Sequence, residues 1–261
     1  MNIKRISILI LLILIDFINI YPQLNQTDQN GLRQGHWIRK YPTGVTMYDG
    51  IFKDGHPVGE FKRYYENGAI KSVMMFSQDG RQADATLFFP NGSIASKGQY
   101  RDQKKEGRWQ FYSSREPGYL ICEQMFTNDL RNGVSLSFYH DSTIGDRKNY
   151  LNDNKNGEWE QFYQSGKIYI KAGYLSDKLN GPFEAWYENG TKMYTGSYRN
   201  DARDGTWLIY NEDGSVKYKI QYKNGVPDNH QMDADASKFI DSLESQKGNI
   251  PDPEITGEMW Q

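Results

Sequence analysis

Glycine and bulky aromatic positions recur along most of this chain at a nearly fixed interval of 24 residues. Each copy begins with a glycine, called the anchor here, and places a large aromatic residue two positions later. Six copies keep both residues: Gly35/Trp37, Gly59/Phe61, Gly107/Trp109, Gly157/Trp159, Gly181/Phe183 and Gly205/Trp207. Self-similarity at a period of about 20 to 50 residues is typical of arrays in which each unit buries its apolar surface against its neighbours.

Two weaker copies fill the gaps in this series. They have Ala83/Ala85 and Gly133/Ser135 at the two positions, so a small residue stands where the large aromatic belongs. The chain therefore has eight copies in series, with a single 26-residue step. The two extra residues fall at 113–118, where a longer turn is tolerated without disturbing the neighbouring strands.

The repeat includes further aromatic positions. Five copies carry an aromatic pair five and six residues after the anchor: Tyr64-Tyr65, Phe88-Phe89, Phe138-Tyr139, Phe162-Tyr163 and Trp186-Tyr187. Every copy also has an aromatic residue about seventeen positions after the anchor: Phe52, Phe76, Tyr100, Phe126, Tyr150, Tyr174, Tyr198 and Tyr222.

Each unit predicts a β-hairpin. Two turn signals, such as those at 188–190 and 200–205, separate two runs of about five to seven residues rich in aromatic and branched side chains. No useful length between Gly31 and Val226 has helical spacing. We predict an all-β fold: an open, single-layer antiparallel sheet or solenoid of about eight 24-residue hairpin repeats, with sixteen short strands. In this interpretation every glycine belongs to a turn.

The pattern resembles the membrane occupation and recognition nexus (MORN) repeat, and more closely its bacterial variant. The segments at 157–166 and 181–190 carry the likeness best, and it covers residues 31–226. The resemblance implies a string of β-hairpins that acts as an interaction scaffold. Bacterial members are often labelled the antitoxin component of a toxin–antitoxin pair, so an antitoxin-like partner protein is one implied role.

Composition agrees with a thin array. Apolar residues make up 37% of the chain and aromatic residues 14%. The apolar share is low for a domain with a thick core. We therefore expect stability to come from rings stacked between successive hairpins, where each cross-strand pair contributes roughly 0.2 to 1 kcal/mol.

The N-terminal segment, residues 1–25, predicts a signal peptide or an N-terminal anchor. Lys4 and Arg5 precede an apolar run from Ile8 to Ile15, and a helix-breaking proline, Pro22, follows. The run is shorter than the roughly 20 residues of a spanning helix, which favours export. We expect the protein in the periplasm, the cell envelope or the extracellular space, and an uncleaved anchor or a buried first element remain as alternatives.

The C-terminal segment, residues 227–261, differs in charge from the repeats at 26–226. Residues 31–226 hold 27 basic and 23 acidic side chains, a net charge of +4, whereas the tail holds 2 and 8, a net charge of −6. Ala236, Phe239, Ile240 and Leu243 have the spacing of a short amphipathic helix. One hypothesis is that this helix caps the last hairpin and covers the open end of the sheet. The alternative is a disordered tail or a partner-binding peptide.

No residue pattern predicts catalysis, and we expect no enzyme, cofactor or metal site. The single cysteine, Cys122, lies in a strand-like run and is expected to be a small buried residue. The four histidines are expected at surface turns, with no third ligand in register. A net charge of −2 without a lysine stripe disfavours nucleic acid. We expect membrane contact only through the N-terminal segment.

Two classes of function remain for a surface with regularly spaced rings. The first is a protein-interaction scaffold that binds a protein or peptide partner, and the second is a carbohydrate-binding module whose rings stack on sugars. We expect the rings two, six and seventeen residues after the anchor to pack on one another. Only the rings five residues after the anchor would then contact a partner: Tyr64, Phe88, Tyr112, Phe138, Phe162, Trp186 and Tyr210.

Overall fold

The computed structural model describes residues 23–246, so most of the predicted export segment and the extended part of the tail lie outside the described residues. The described chain forms one antiparallel sheet followed by one helix. The elements are β1 (Gln26–Thr27), β2 (Arg33–Lys40), β3 (Thr46–Lys53), β4 (His56–Tyr64), β5 (Ile70–Phe76), β6 (Gln82–Phe88), β7 (Ile94–Arg101), β8 (Lys104–Tyr112), β9 (Leu120–Thr127), β10 (Leu130–Phe138), β11 (Ile144–Leu151), β12 (Asn154–Phe162), β13 (Ile168–Leu175), β14 (Lys178–Leu179), β15 (Gly181–Trp186), β16 (Lys192–Arg199), β17 (Ala202–Tyr210), β18 (Val216–Lys223), β19 (Val226–Pro227) and α1 (His230–Gln246).

The predicted open sheet of hairpins is confirmed. Each strand pairs with the next one along the chain, from β1 at one end to β19 at the other. The one interruption is at Asn180, where β14 and β15 both pair with β13. If these two are counted as a single interrupted strand, the sixteen predicted strands are all present, and β1 and β19 are short additions at the ends.

The turns that join successive hairpins use residues with positive φ. Asn200 and Asp201 have φ angles of 50° and 69°, which suits the tight turns of twisted antiparallel strands. Asparagine and aspartate tolerate this conformation better than other non-glycine residues. The Asp201 carboxylate also accepts a hydrogen bond from the backbone N–H of Leu179 at 2.7 Å, and the Asp201 N–H donates to the Leu179 carbonyl at 2.9 Å. These turns therefore tie each repeat to the one before it.

The interpretation that every glycine belongs to a turn was wrong for the anchors and for strand glycines such as Gly196 in β16. Gly205 lies inside β17 with a φ of 76°, next to a shift in the register between β16 and β17. Thr195 and Ser197 of β16 pair with two residues of β17 that are further apart along the chain. The additional residues of β17 form a bulge, and the anchor lies in it. A bulge with a residue in the left-handed region favours glycine and increases the local twist of the strands.

Large rings and small residues are paired across neighbouring strands on one side of the sheet, called the aromatic face. A Cβ added at Gly196 would lie 2.2 Å from the Trp207 ring, and Gly50 and Gly98 lie under Phe61 and Trp109 in the same way. In the two weaker copies the small residue occupies the ring position, and the larger side chain lies opposite it on the preceding strand. Met74 lies opposite Ala85, and Gln124 lies opposite Ser135.

One position departs from this size rule. Lys148 lies opposite Trp159, so a long side chain meets a large ring. The Lys148 ammonium is 3.5 Å from the buried carboxylate of Asp146, and that carboxylate accepts the Trp159 indole N–H at 2.8 Å. This polar network satisfies the buried carboxylate beside Trp159, as buried polar groups require.

Rings two and seventeen residues after the anchors pack together, as predicted. Their edge-to-face or tilted contacts have centroid distances between 4.9 and 6.2 Å: Trp37–Phe52, Phe52–Phe61, Phe61–Phe76, Tyr100–Trp109, Trp159–Tyr174, Phe183–Tyr198, Tyr198–Trp207 and Trp207–Tyr222. Such pairs add about 0.5 to 1.5 kcal/mol each beyond burial. A cation often covers the outer ring, as the Arg33 guanidinium does 3.9 Å from the centre of Phe52.

The predicted C-terminal helix is present as α1 and lies against the last hairpin. Ala236 is 1% exposed and belongs to the same buried cluster as Trp207 and Ile220. The Lys217 ammonium lies 3.6 Å from the centre of the Phe239 ring. No helix in residues 23–246 has the length and hydropathy needed to cross a membrane.

Candidate functional site

The tyrosines six residues after the anchors are structural. The Tyr163 hydroxyl donates a hydrogen bond at 2.7 Å to the backbone carbonyl of Trp186, one repeat further along. The same bond occurs in four other repeats, for the pairs Tyr41–Tyr64, Tyr65–Phe88, Tyr139–Phe162 and Tyr187–Tyr210. In the fourth repeat, which carries the insertion, Tyr119 takes this role towards Phe138 at 2.6 Å. These hydroxyls fasten each hairpin to the next.

The rings five residues after the anchors take no part in this packing. All seven predicted contact residues, Tyr64, Phe88, Tyr112, Phe138, Phe162, Trp186 and Tyr210, are half-buried. The Arg147 guanidinium lies 5.9 Å from the centre of the Phe162 ring, and the Lys97 ammonium lies 5.9 Å from that of Tyr112. These cations belong to the charged side of the sheet, called the polar face, which is opposite the aromatic face.

The polar face carries charges of both signs, and they form ion pairs between neighbouring strands. Lys171 lies 2.5 Å from Glu158 and 3.6 Å from Glu160, and Arg147 lies 3.0 Å from Glu160. The hydrogen bond that the Lys171 ammonium donates to the Glu158 carboxylate raises the pKa of Lys171 above its usual value. Charges of both signs therefore alternate along this face.

The third repeat has a shallow hollow of about 280 Å³ where its anchor pair is Ala83 and Ala85. Met75, Asp84 and Gln99 line it among others. The Gln99 side-chain amide donates to the Asp84 carboxylate at 2.9 Å, so two of the polar groups satisfy each other. The hollow presents no arrangement of nucleophile, base and oxyanion donors of the kind that acyl transfer needs.

Cysteine and histidine positions do not form a site in the described part of the chain. Cys122 is 2% exposed, in line with the small buried role expected for it. The expectation that the histidines lie at turns was wrong for three of them. His36 is inside β2 and 2.6 Å from the Asp49 carboxylate, and His56 and His230 are the first residues of β4 and α1. Among residues 23–246, no three histidine, cysteine or acidic side chains come together as a metal site would require.

One feature of the polar face could not be read from the sequence. Four of the tryptophans described by the structure use their indole N–H as a donor: Trp37, Trp109, Trp159 and Trp207. The indole N–H of the half-buried Trp186, by contrast, has no hydrogen-bond acceptor among the residues that the structure describes. The sequence has no signal for this difference, because hydrogen-bond partners on other strands depend on the bulges and the register.

The fold and the surface define an open, single-layer repeat protein, with one face occupied by its own packing and the other carrying ion pairs and a row of rings. A family model described as the MORN repeat variant matches residues 57–78, 81–102, 155–175, 179–200 and 203–224. The chain is a MORN repeat protein. Its five matched repeats and its three unmatched hairpins share one geometry, and MORN repeats point to a repeat-based binding scaffold.

Comparison with other proteins adds little to this assignment. No curated protein sequence matches the chain. Among solved structures, the crystal structure of TcdB2-TccC3-TEV is similar at 10% identity, over 75% of this chain and 11% of that one, with a TM-score of 0.19. The chain spans about a tenth of that relative's length, and a TM-score of this size carries no argument about function.

Proposed function

We propose that this protein is a non-enzymatic scaffold of the bacterial envelope or exterior that binds a protein or peptide partner through the polar face. The observation that carries the proposal is that rings at different positions of the repeat make different contacts. The rings two and seventeen residues after the anchors pack on one another, and the tyrosines at position six donate hydrogen bonds that join neighbouring repeats. The rings at position five remain as a regular row of half-buried aromatic surface.

Half-buried aromatic residues on a rigid support are the type of residue that dominates protein interfaces. The support here is rigid because the carbonyl groups of the row are themselves held by tyrosine hydroxyls of the preceding repeats, as at Trp186 and Tyr210. The array thus offers the same contact several times, which suits an extended partner.

The test is affinity capture from the native cell with three forms of the full chain. One is the natural protein, one replaces Phe162, Trp186 and Tyr210 with threonine, and one replaces the same-face charges Arg147, Lys171 and Lys192 with threonine. Threonine retains strand propensity, and circular dichroism and melting curves check that each form is folded. We expect a partner that the natural and charge-substituted forms retain and the ring-substituted form loses. Equal capture by all three folded forms would refute the proposal.

A carbohydrate ligand on the same row is the competing outcome. If soluble oligosaccharides displace the captured material, or if the natural form binds glycans on an array while no protein depends on the rings, the surface is a carbohydrate-binding one. The same variants serve as controls, because sugar stacking also needs the rings.

Export is a separate part of the proposal and rests on residues 1–25. The mass of the mature N-terminus in the native cell tests it directly. A shortened chain in the periplasm or medium, or a full-length chain in the envelope, is the expected result. A full-length chain confined to the soluble cytoplasmic fraction would contradict export, and would make an antitoxin-like role the better explanation.

A further inference from the structure

We infer that the rings of the last three repeats, Phe162, Trp186 and Tyr210, form a track for a proline-rich peptide in the polyproline II conformation. This inference rests on the proposed function and names the chemistry of the partner.

The spacing of the track follows from the hairpin repeat. Equivalent residues in successive repeats are two strands apart, and at the usual distance between strands this is about 9.6 Å. A polyproline II helix rises about 3.1 Å per residue with three residues per turn, so it presents the same edge every 9.3 Å or so. A peptide lying across the strands can therefore place one proline on each ring if prolines occur at every third position.

The twist of the sheet limits the length of the match. Adjacent strands are rotated by roughly 20 to 25°, so rings in successive repeats turn by about 45° relative to each other. A straight helix can follow such a row for only a few repeats. Three rings span two repeat intervals, which corresponds to a seven-residue segment with prolines at its first, fourth and seventh positions.

Two neighbouring rings of the row both carry unpaired donors only at this end. Among the described residues the Trp186 indole N–H and the Tyr210 hydroxyl have no hydrogen-bond partner, whereas the Tyr112 hydroxyl donates to Gln110 at 3.2 Å. A polyproline II backbone makes no internal hydrogen bonds, so its carbonyl groups are free to accept. Aromatic residues with a free donor next to an apolar ring are the usual means of binding such peptides.

The support beneath the track is the best packed part of the array. The largest buried cluster runs from Tyr169 to Ala236 and includes Phe183, Trp207 and Ile220 on the aromatic face. A rigid support lowers the entropic cost of binding, because the rings do not have to be ordered by the ligand. Tyr64, at the other end of the row, also has no partner for its hydroxyl in the described structure, but lies outside this cluster.

The experiment is an NMR titration of the full chain, labelled with ¹⁵N, with three synthetic peptides of equal length. One has proline at every third position, one has the same number of prolines at every second position, and one replaces proline with alanine. We expect only the first peptide to shift the Trp186 indole N–H resonance, which is identified by its loss in Trp186→Phe. We also expect at least a tenfold weaker affinity for Trp186→Ala and for Tyr210→Ala.

Tyr64→Ala is the matched control and should bind as the natural protein does. The Trp186→Phe variant retains a ring, so it separates loss of the donor from loss of folding. If the three peptides bind alike, or none moves the Trp186 resonance, the inference is wrong. If an oligosaccharide moves this resonance and no peptide does, the ligand is a carbohydrate and the inference is also wrong.

Failure here is distinguishable from failure of the proposed function. A partner that depends on Phe162, Trp186 and Tyr210 in the capture experiment would support the scaffold even if proline-rich peptides did not bind. If neither the captured material nor the peptides depended on these rings, both proposals would fall.

Discussion

Gly196 lies directly beneath the indole of Trp207, so close that a Cβ on the glycine would be 2.2 Å from the ring. The backbone at Gly196 does not have a positive φ, so the glycine is needed there for space and not for conformation. This relationship between neighbouring repeats recurs at Gly50 and Gly98.

Replacing Gly196 with alanine should destabilise the protein by about 1 to 3 kcal/mol, because the Trp207 ring must move out of a packed position. Equilibrium denaturation in urea measures the change. The double variant Gly196→Ala/Trp207→Ala should cost less than the sum of the two single variants, since the clash disappears with the ring. Additive costs would show that the two residues are not coupled.

The tyrosine hydroxyl contacts give a second prediction. Tyr139→Phe removes the donor to the Phe162 carbonyl at 2.7 Å and should cost about 1 to 2 kcal/mol. The third repeat has Phe89 at the equivalent position, so Phe89→Tyr should restore a donor towards the Tyr112 carbonyl and leave stability unchanged or raised. Thermal melts of both variants test this. A loss of stability in Phe89→Tyr comparable to that in Tyr139→Phe would contradict the interpretation.

A third prediction concerns the pH dependence of stability. Burial, together with the nearby Asp141 and Glu188 carboxylates, raises the pKa of Tyr139 to about 12. A group whose pKa is raised in the folded state holds its proton more tightly there than in the unfolded chain. Its stabilisation is complete below about pH 10, the unfolded value, and is lost as the pH rises towards 12.

The measurement is the free energy of unfolding between pH 9 and 12 for the natural protein and for Tyr139→Phe. Both should lose stability over this range, because Tyr222 also has its pKa raised to about 12 by burial and by its hydrogen bond to Asp233. The slope should be smaller for Tyr139→Phe. Identical slopes would show that Tyr139 titrates normally in the fold.

A fourth prediction tests the role of α1 as a cap. Ala236→Glu places a carboxylate at a position that is 1% exposed, and should destabilise the protein by about 2 to 4 kcal/mol. Ala234→Glu makes the same change two residues away at an exposed position and should have little effect. Thermal melts measure the stability of both variants, and light scattering measures their aggregation. If deletion of residues 229–261 left solubility and melting temperature unchanged, the helix would not be a cap.

The edge beside α1 supports the same interpretation. Asp228 accepts the backbone N–H of Gln221 at 3.1 Å and donates its own N–H to the Gln221 carbonyl at 2.8 Å. The two-residue strand β19 ends in Pro227, which cannot donate to a further strand. Lys219 and Lys223 lie on the adjoining strand β18, and lysine near an edge discourages pairing with other chains.

The sequence by itself determined the repeat, the hairpins and the open sheet. Fixed spacing of aromatic and turn residues leaves few alternatives to antiparallel neighbours, because Asn200 and Asp201 suit a tight turn and the rings suit a half-buried strand. The pattern at Ala236, Phe239 and Ile240 likewise predicted a helix. These are local properties, and each can be read from a few residues.

Only the tertiary structure decided what each position does. The anchor glycine Gly205 looks like part of a turn in the sequence, yet it lies at a bulge inside β17. The register between β5 and β6, which has no bulge, places Met74 opposite Ala85, so the third repeat receives a larger side chain from the preceding repeat. Strand register also gives the Trp207 indole N–H an acceptor and leaves that of Trp186 without one among the described residues. Contacts between residues about a repeat apart depend on strand register, which spacing along the chain does not specify.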